Sequence, residues 1–396
     1  MNAEEEKCTI IIWKENGKLK LLIIVGTRPE IIRLAAVIKK CRIYFDTILA
    51  HTGQNHDYNL NGVFFHDLEL DEPEVYLDAV GADLGETMGN IIAKSYQLMA
   101  EIKPDAVLVL GDTNSCLSVI GAKRLHIPIF HMEAGTRCKD ECLPEETNSR
   151  IVDIISDVNM AYSEHARRYL ADCGLPKERT YVTGSPMAEV LHNNLAKIEA
   201  SNINQRLGLE KGRYIFRSAH REENIDTEKN FLSLFNAINK MAQKYEMPIL
   251  YSFHPRSRKR IEATGFQLAP RVIQHEPLGF HDYNCLQMNA FAVISDSGTL
   301  PEESSFFTSV GHPFPAVCIR TSTEHLEALD KACFTLSGID EKGLLQAVDV
   351  AVEMNRNRDL GIPIPDYVDE NVSDKVVKII QSYTGIVNKM VWRKDV

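Results

Sequence analysis

Short apolar segments that alternate with helical patterns, twice over, constrain the fold of this chain more than any other feature. In the first half, such segments lie near residues 21–25, 47–51, 106–110, 128–132, 158–161 and 180–183. Between the first two, apolar residues recur at helical spacing at Ile31, Leu34, Ala35 and Ile38. Strands that alternate with helices predict a parallel, doubly wound α/β sheet.

The same alternation restarts after a polar stretch, Ser201 to Gly212, which we interpret as a linker. A strand at Tyr214-Ile215-Phe216 is followed by a helix whose apolar face comprises Phe231, Leu234, Phe235, Ile238 and Met241. Further apolar segments lie at residues 248–252, 271–274, 291–295 and 316–319. The sequence therefore predicts a second Rossmann-like sheet, with the substrate cleft between the two domains.

The chain of 396 residues is too long for one typical domain. We predict an N-terminal Rossmann-like domain over residues 1–200 and a C-terminal, nucleotide-binding Rossmann-like domain over residues 201–370. The remaining residues, 371–396, are expected to form a helix that packs back on the N-terminal domain.

Charge and cysteine usage exclude several classes of protein. A formal net charge of -11 argues against a general nucleic-acid or anionic-membrane surface. The apolar run Leu21 to Val25 is too short to span a bilayer, and the acidic N-terminus lacks a signal-peptide charge pattern, so a cytoplasmic location is expected. Nine cysteines without a C-x-x-C pair fit reduced thiols, and the spacing of Cys138 and Cys142 lacks a second pair for zinc.

Two predicted strands run directly into an acidic residue. Leu108 to Leu110 leads to Gly111-Asp112, and Ile129 to Met132 leads to Glu133. Because the carboxyl ends of parallel strands border the ligand crevice, both acids should face the same bound molecule. An ionisable group in a water-poor cleft indicates proton chemistry or a contact with a substrate hydroxyl.

The first strand ends in Gly26-Thr27-Arg28-Pro29-Glu30, where Pro29 is placed to start a helix. Glycine permits close backbone approach, a helix N-terminus attracts anions, and the Arg28 guanidinium suits phosphate. The alternative is an ordinary strand-to-helix turn with a surface arginine. No G-x-G-x-x-G motif is present, so a dinucleotide cofactor is not expected.

A second candidate anion site is the segment from Ile294 to Glu303. Backbone N–H groups near Gly298 and the hydroxyls of Ser297 and Thr299 are suited to a diphosphate, and Glu303 to ribose hydroxyls. A simple helix N-cap would have a similar sequence.

Two further segments offer polar cleft residues. His220 lies at the predicted end of the first strand of the second domain, beside charges of both signs, although an isolated histidine is often structural. Pro144-Glu145-Glu146 opens a helix, where its acids would also favour the N-terminal dipole.

Together these segments resemble the non-hydrolysing UDP-N-acetylglucosamine 2-epimerase family. The resemblance covers about residues 20 to 390 and depends on six motifs in the family's order: Gly26-Thr27-Arg28-Pro29-Glu30, Gly111-Asp112-Thr113, Glu133-Ala134-Gly135, Pro144-Glu145-Glu146, His220-Arg221-Glu222-Glu223-Asn224 and Asp296-Ser297-Gly298. It implies the two-domain GT-B fold, a homodimer, a UDP-activated N-acetylated amino sugar as ligand, and no metal or nicotinamide cofactor.

The resemblance also implies site residues. Asp112, Glu133 and Glu145 are the acid/base candidates, and His220 should protonate or hydrogen-bond the departing phosphate. Substrate-binding residues are Arg28, Arg33, Ser297, Gly298 and Glu303, with Arg33 one helical turn after Arg28 and able to reach the same anion. The implied reaction eliminates UDP to give a 2-acetamidoglycal and adds it back after reprotonation from the other face.

Within the family, the match is closest to enzymes that make UDP-N-acetyl-L-fucosamine from UDP-2-acetamido-2,6-dideoxy-L-talose for bacterial surface polysaccharide. Leu278 and Thr299 stand where the UDP-GlcNAc branch usually has glutamine and glycine. The alternative is a UDP-GlcNAc 2-epimerase that gives UDP-ManNAc. Ser149 and His325 replace arginines usual in the family.

Two other functional classes remain open at this level. A GT-B glycosyltransferase would explain a nucleotide site, but it would need an acceptor groove and would not need several carboxylates around the sugar. An inactive nucleotide-sugar sensor would explain the replacements at Ser149 and His325 but not the presence of Asp112 and Glu133.

Overall fold

The computed structural model describes residues 16–53, 62–137, 144–218, 227–252, 255–320, 323 and 325–394. Its strands form two parallel sheets, one in each half of the chain. The motif His220-Arg221-Glu222-Glu223-Asn224 lies outside the described residues.

The first sheet has seven strands, in the order β3-β2-β1-β4-β5-β6-β7. In chain order they are β1 Lys20–Val25, β2 Asp46–His51, β3 Val75–Tyr76, β4 Ala106–Leu110, β5 Ile129–Met132, β6 Val158–Ala161 and β7 Thr180–Val182. All neighbours are parallel, and the order reverses between β1 and β4. The predicted doubly wound sheet is confirmed, and the two-residue strand β3 is an addition to it.

Side chains of β1 show why these strands read as continuous apolar runs. Leu21, Ile23 and Val25 pack into one hydrophobic cluster, whereas Leu22 and Ile24 pack into another on the opposite face. Since both faces are covered by helices, alternation with polar residues is not needed.

The second sheet has six strands, in the order β10-β9-β8-β11-β12-β13. They are β8 Ile215–Ser218, β9 Ile249–Ser252, β10 Val272–His275, β11 Ala292–Ser295, β12 Ala316–Cys318 and β13 Thr335–Leu336. This second Rossmann-like sheet is also as predicted, with β13 as an additional short edge strand.

The described helices cover both sheets. They are α1 Arg28–Tyr44, α2 Gly62–Asp67, α3 Leu84–Ile102, α4 Val119–Arg124, α5 Pro144–Ile155, α6 Glu164–Asp172, α7 Met187–Glu199, α8 Ile203–Arg206, α9 Glu228–Tyr245, α10 Pro255–Thr264, α11 Phe280–Met288, α12 Leu300–Ser309, α13 Leu326–Asp330, α14 Glu341–Asn357 and α15 Val372–Met390. Pro29 and Pro301 occupy the first turns of α1 and α12, where a missing N–H costs nothing. The predicted apolar face of α9 is completely buried.

Contacts between the two halves are made by helices. Helix α7 touches α1 beside the first sheet and both α11 and α12 beside the second. The predicted linker is itself packed: it contains α8, and its Ile203 and Leu209 belong to the main hydrophobic cluster.

The last helix, α15, lies against α1 of the first half. Tyr383 of α15 meets Tyr181 edge-on, with ring centroids 5.3 Å apart, and Ser373 donates from its backbone N–H to Glu189 of α7 at 2.8 Å. The exact domain boundaries stay a prediction.

Candidate active site

A cleft between the two sheets contains two adjoining compartments. We call the first the acidic compartment; it spans about 880 Å³, counting space open to solvent, and is bordered by residues that follow strands of both sheets. Its lining residues are Pro29, Glu30, Arg33, Leu110, Gly111, Asp112, Thr113, Glu133, Thr136, Glu145, Glu146, Ser297, Gly298, Thr299 and Arg320. The predicted convergence of Asp112 and Glu133 on one space is thus observed.

We call the second the apolar compartment; it spans about 630 Å³, counting space open to solvent. Its lining residues are Arg28, Pro29, Ile32, Phe64, Met187, Ser252, Pro277, Leu278, Phe280, Tyr283, Asn284, Ser297, Thr299 and Glu303. Pro29, Ser297 and Thr299 border both compartments, so the two lie side by side.

Asp112 directly follows β4 and Gly111, and its side chain is oriented by the start of α5. Ser149 Oγ donates to Asp112 Oδ2 at 3.0 Å, and Asn148 Nδ2 donates to the Asp112 carbonyl oxygen at 3.0 Å. Ser149, which replaces an arginine in the family pattern, therefore supplies a neutral hydrogen bond to this carboxylate. The adjacent Arg150 donates from its Nε to Glu146 at 3.2 Å.

Glu133 follows β5 in the left-handed backbone region, with φ at 64°. Its carboxylate reaches back to Gly111, where an added Cβ would lie 3.0 Å from Glu133 Oε2. Gly111 itself has φ at 77°, which favours glycine. The tight turn after β4 thus makes room for the carboxylate of the neighbouring strand end.

Arg33 holds the Glu133 carboxylate in place. Its Nη1 lies 2.9 and 2.8 Å from the two Glu133 oxygens, and its Nη2 donates to Glu302 Oε2 at 2.9 Å. Sequence reasoning expected Arg33 to share an anion with Arg28. In the structure Arg33 instead lines the acidic compartment and is paired with two carboxylates of the protein.

Burial raises the pKa of Glu133 to about 7, against the lowering effect of Arg33 and with further raising by Asp112 and Glu302. Its carboxyl group can therefore take up or release a proton near neutral pH. Glu302 was not assigned by sequence reasoning; its only signal was the doublet with Glu303.

Glu145 lies at the start of α5, lines the acidic compartment and is exposed. It is the third carboxylate of the predicted set to border this space. Its neighbour Glu146 is buried and paired with Arg150 and, at 3.8 Å, with Arg137.

Arg28 borders the apolar compartment, with its guanidinium carbon 5.5 Å from the centroid of the Phe64 ring. Burial lowers its pKa from the usual value. Glu303 lies in the same compartment and accepts hydrogen bonds from Gln287 Nε2 and Thr299 Oγ1, both at 2.9 Å. Burial raises the pKa of Glu303 to about 7 despite these two donors.

The loop between β11 and α12 lies where the two compartments meet. Ser297 Oγ and Thr299 Oγ1 are 2.8 Å apart, and the Thr299 N–H donates to Ser297 Oγ at 3.2 Å. Gly298 lines the acidic side. At the turn between β1 and α1, the Gly26 N–H donates to Glu30 Oε2 at 3.0 Å. The sequence did not predict this role for Glu30.

His325, the other residue that departs from the family's arginine pattern, is buried beside Tyr367. Its Nδ1 lies 2.6 Å from the Tyr367 hydroxyl, which in turn donates to Glu327. Burial acts to raise the pKa of Glu327, but hydrogen bonds from His325 and Tyr367 lower it to about 2. The expected role of His220 falls outside the described residues.

Leu278 lines the apolar compartment and does not border the acidic one. The acid/base candidates line the other compartment, and Leu278 shares its own with Phe64, Phe280 and Tyr283.

The described part of the chain contains neither a candidate metal centre nor a candidate membrane span. There, no three His, Cys, Asp or Glu side chains are grouped so that they could hold a metal ion. No described helix combines the length and apolar character needed to cross a bilayer.

Comparisons with known proteins place this geometry in a family. The family model described as UDP-N-acetylglucosamine 2-epimerase matches residues 39–381. A structure of UDP-N-acetylglucosamine 2-epimerase from Rickettsia bellii is similar with 41% identity and a TM-score of 0.87, over 95% of this chain and 100% of that one.

Two further relatives show how broad the similarity is. The crystal structure of Methanocaldococcus jannaschii UDP-GlcNAc 2-epimerase in complex with UDP-GlcNAc and UDP has 28% identity and a TM-score of 0.84, over 92% of this chain and 100% of that one. The UDP-2,3-diacetamido-2,3-dideoxy-D-glucuronate 2-epimerase of Pseudomonas aeruginosa is 32% identical, over 88% of this chain and 94% of that one. The chain belongs to the UDP-N-acetylglucosamine 2-epimerase family and is an isomerase, a UDP-sugar 2-epimerase with the GT-B arrangement of two Rossmann-like domains.

Proposed function

We propose that this epimerase inverts C-2 of a UDP-activated N-acetylated amino sugar by eliminating UDP and adding it back. The C-2 proton is not acidified by an adjacent carbonyl, so its simple removal is too difficult. If the bond between C-1 and the phosphate oxygen breaks as a base takes the proton, the electron pair of the C-2–H bond forms the C-1–C-2 double bond of a 2-acetamidoglycal. The electron pair of the C-1–O bond leaves with UDP. A proton then returns to the other face of C-2, and UDP oxygen re-forms the bond to C-1.

The observation that carries the proposal is the pair Asp112 and Glu133 in one compartment beside the loop at Ser297. The chemistry needs two proton-transfer groups of different proton affinity on opposite sides of the ring. Glu133 is buried, with its pKa raised to about 7 chiefly by that burial, and Asp112 is hydrogen-bonded by Ser149. Glu145 borders the same compartment as a third candidate.

For the nucleotide, we propose the apolar compartment. Its aromatic residues Phe64, Phe280 and Tyr283 would enclose the base, Glu303 would accept hydrogen bonds from ribose hydroxyls, and Arg28 would bind phosphate. The diphosphate would then lie at Ser297 and Gly298, between the two compartments, where donors can stabilise the leaving charge. His220 remains the proposed donor to the departing phosphate.

For the sugar, the favoured substrate is UDP-2-acetamido-2,6-dideoxy-L-talose, which would give UDP-N-acetyl-L-fucosamine. Support comes from the motifs Pro277-Leu278-Gly279-Phe280-His281-Asp282-Tyr283-Asn284 and Asn371-Val372-Ser373-Asp374, which resemble that branch. UDP-GlcNAc is the second candidate, favoured by the names of the Rickettsia bellii and Methanocaldococcus jannaschii relatives.

Incubation with each UDP sugar alone, in deuterium oxide, tests both levels of the proposal. We expect epimerisation without an acceptor, deuterium at C-2 of the product by NMR, and at least about tenfold higher kcat/KM for the 6-deoxy-L-talose substrate. Turnover without exchange would contradict the elimination mechanism. Equal or better kcat/KM for UDP-GlcNAc would overturn the fucosamine assignment, and release of free sugar and UDP would indicate a hydrolysing enzyme.

A further inference from the structure

The Arg33 guanidinium connects the two halves of the molecule. Arg33 belongs to α1, beside the first sheet. Its partner Glu133 follows β5 and so also lies in the first half of the molecule. Its other partner, Glu302, belongs to α12, which begins next to the loop at Ser297 in the second half. One cation is thus divided between a proposed acid/base carboxylate and a carboxylate from the opposite side of the cleft.

The side chains of this arrangement are buried. The side chains of Arg33 and Glu133 are 9% and 10% exposed, and that of Glu302 is not exposed at all. The second oxygen of Glu302 accepts a hydrogen bond from Ser185 Oγ at 2.5 Å. Each oxygen of the Glu302 carboxylate therefore accepts a hydrogen bond, one from Arg33 and one from Ser185.

We propose that Glu302 is a positioning residue, which divides the Arg33 guanidinium between the two domains and thereby sets the charge balance at Glu133. The inference rests on the proposed function, in which Glu133 exchanges a proton with C-2. It assigns Glu302 no contact with substrate; Glu302 acts only through Arg33 and through its own charge.

The charge count supports this role. Among the described residues, the groups that interact electrostatically with Glu133 include Arg33, Asp112, Glu302, His325, Tyr162, Cys116 and Tyr367. Glu302 and Asp112 both raise the pKa of Glu133, after burial as the main cause, while Arg33 and His325 lower it. If the charge of Glu302 were removed, Arg33 would act on Glu133 alone, and Glu133 would become a weaker base with a lower pKa.

The chain offers a matched control in Glu189. This buried carboxylate also joins separate elements, because it accepts from both the backbone N–H and the hydroxyl of Ser373 and so ties α7 to α15. It borders neither compartment of the cleft. Glu189→Gln should therefore lower thermal stability as a buried carboxylate change does, without altering proton transfer.

The test measures the pH profile of kcat for wild type, Glu302→Gln, Glu302→Asp and Glu189→Gln. Glutamine keeps the size of Glu302 and can still accept from Arg33 and donate to Ser185. We expect Glu302→Gln to move the limb that depends on Glu133 to lower pH by about 1 unit. Glu302→Asp retains the charge, so its limb should lie at least halfway back toward the wild-type pH. Glu189→Gln should leave the limb at the wild-type pH.

Infrared titration of carboxyl groups gives the same comparison without turnover. The band that Glu133→Gln removes should titrate near neutral pH in wild type and at lower pH in Glu302→Gln. If that band and the kcat limb do not move in Glu302→Gln, Glu302 is only a structural link and the inference is wrong. Failure of the proposed function is distinguishable, since wild-type protein would then show no deuterium exchange at C-2 while the infrared comparison could still be made.

Discussion

The two compartments of the cleft differ in the number of carboxylates that line them and in the apolar character of their walls. The acidic compartment places Asp112, Glu133 and Glu145 around one space, with the guanidinium of Arg33 already paired within the protein. The apolar compartment is walled by aromatic and aliphatic side chains and contains Glu303 as its acid. The first has the groups for proton transfer, whereas the second has the surface for binding a flat, uncharged ring.

This difference suggests that chemistry and nucleotide binding can be separated by mutation. Among the residues that the structure describes, only Pro29, Ser297 and Thr299 border both compartments. Changes deep in the acidic compartment should lower kcat while UDP binding persists. Changes deep in the apolar compartment should weaken UDP binding while kcat persists. A variant that lowers kcat and UDP affinity equally would show that the two compartments act as a single unit.

The largest effect is expected for Glu133→Gln. A proton-transfer group contributes about a hundredfold or more to the rate, so kcat should fall by at least about that factor while the Kd for UDP stays within about twofold. Turnover by NMR and UDP titration by calorimetry measure the two quantities, and circular dichroism checks folding. Asp112→Asn should give the same separation; near-wild-type turnover in either variant would exclude that carboxylate from the chemistry.

The acidic strand ends at this site could be predicted from sequence for a simple physical reason. Each apolar segment is long enough to identify a buried strand, and parallel strands place their carboxyl ends at one edge, so Asp112 and Glu133 had to converge. Strands β3 and β13, with two residues each, carry too little pattern to be recognised.

Arg28→Ala should give the next largest effect, now in the apolar compartment. Loss of a charged hydrogen bond to phosphate costs about 1.5–3 kcal/mol, which corresponds to roughly 10- to 150-fold weaker UDP binding. Treatment with EDTA should leave binding unchanged. Arg356→Ala on the outer surface of α14 is the control, and restoration of lost UDP binding by a divalent ion would contradict the metal-free site.

Other features of the cleft depend on how the two halves dock, which local sequence patterns do not encode. Arg33 and Glu302 are 269 positions apart, and their ion pair exists only because α1 and α12 meet across the cleft. The prediction that Arg33 reaches the same anion as Arg28 used the resemblance and helical spacing. Neither of these shows the carboxylates that tertiary packing brings to this guanidinium.

A smaller effect is expected in the pH dependence of UDP binding. Since burial raises the pKa of Glu303 to about 7, this carboxyl group is protonated in much of the free protein below neutral pH. Ribose hydroxyls donate to the ionised form, so binding below pH 7 requires loss of that proton. UDP affinity should therefore fall as pH decreases from 8 to 6, by up to about tenfold per unit below the pKa.

The diphosphate of UDP also titrates near this range, so the contribution of Glu303 is isolated by comparison. Glu303→Gln keeps hydrogen-bonding capacity but cannot ionise, and it should bind UDP with a flatter pH dependence than wild type. The measurement is calorimetric titration of both proteins at pH 6, 7 and 8. Identical pH dependence in the two would show that Glu303 does not change ionisation on binding.

The smallest effect, and the sharpest test of the boundary between compartments, is expected for Leu278→Gln. The substitution introduces the residue usual in the UDP-GlcNAc branch at a position 9% exposed in the apolar compartment. Because Leu278 does not border the space shared by Asp112 and Glu133, the variant should change KM, while the ratio of kcat/KM between 6-deoxy and 6-hydroxy sugars stays within about twofold. A polar side chain placed against the hydroxymethyl group itself would shift that ratio by about tenfold, the scale of one buried hydrogen bond. A shift of that size would therefore place the sugar next to Leu278 and overturn the division of the cleft into a nucleotide side and a sugar side.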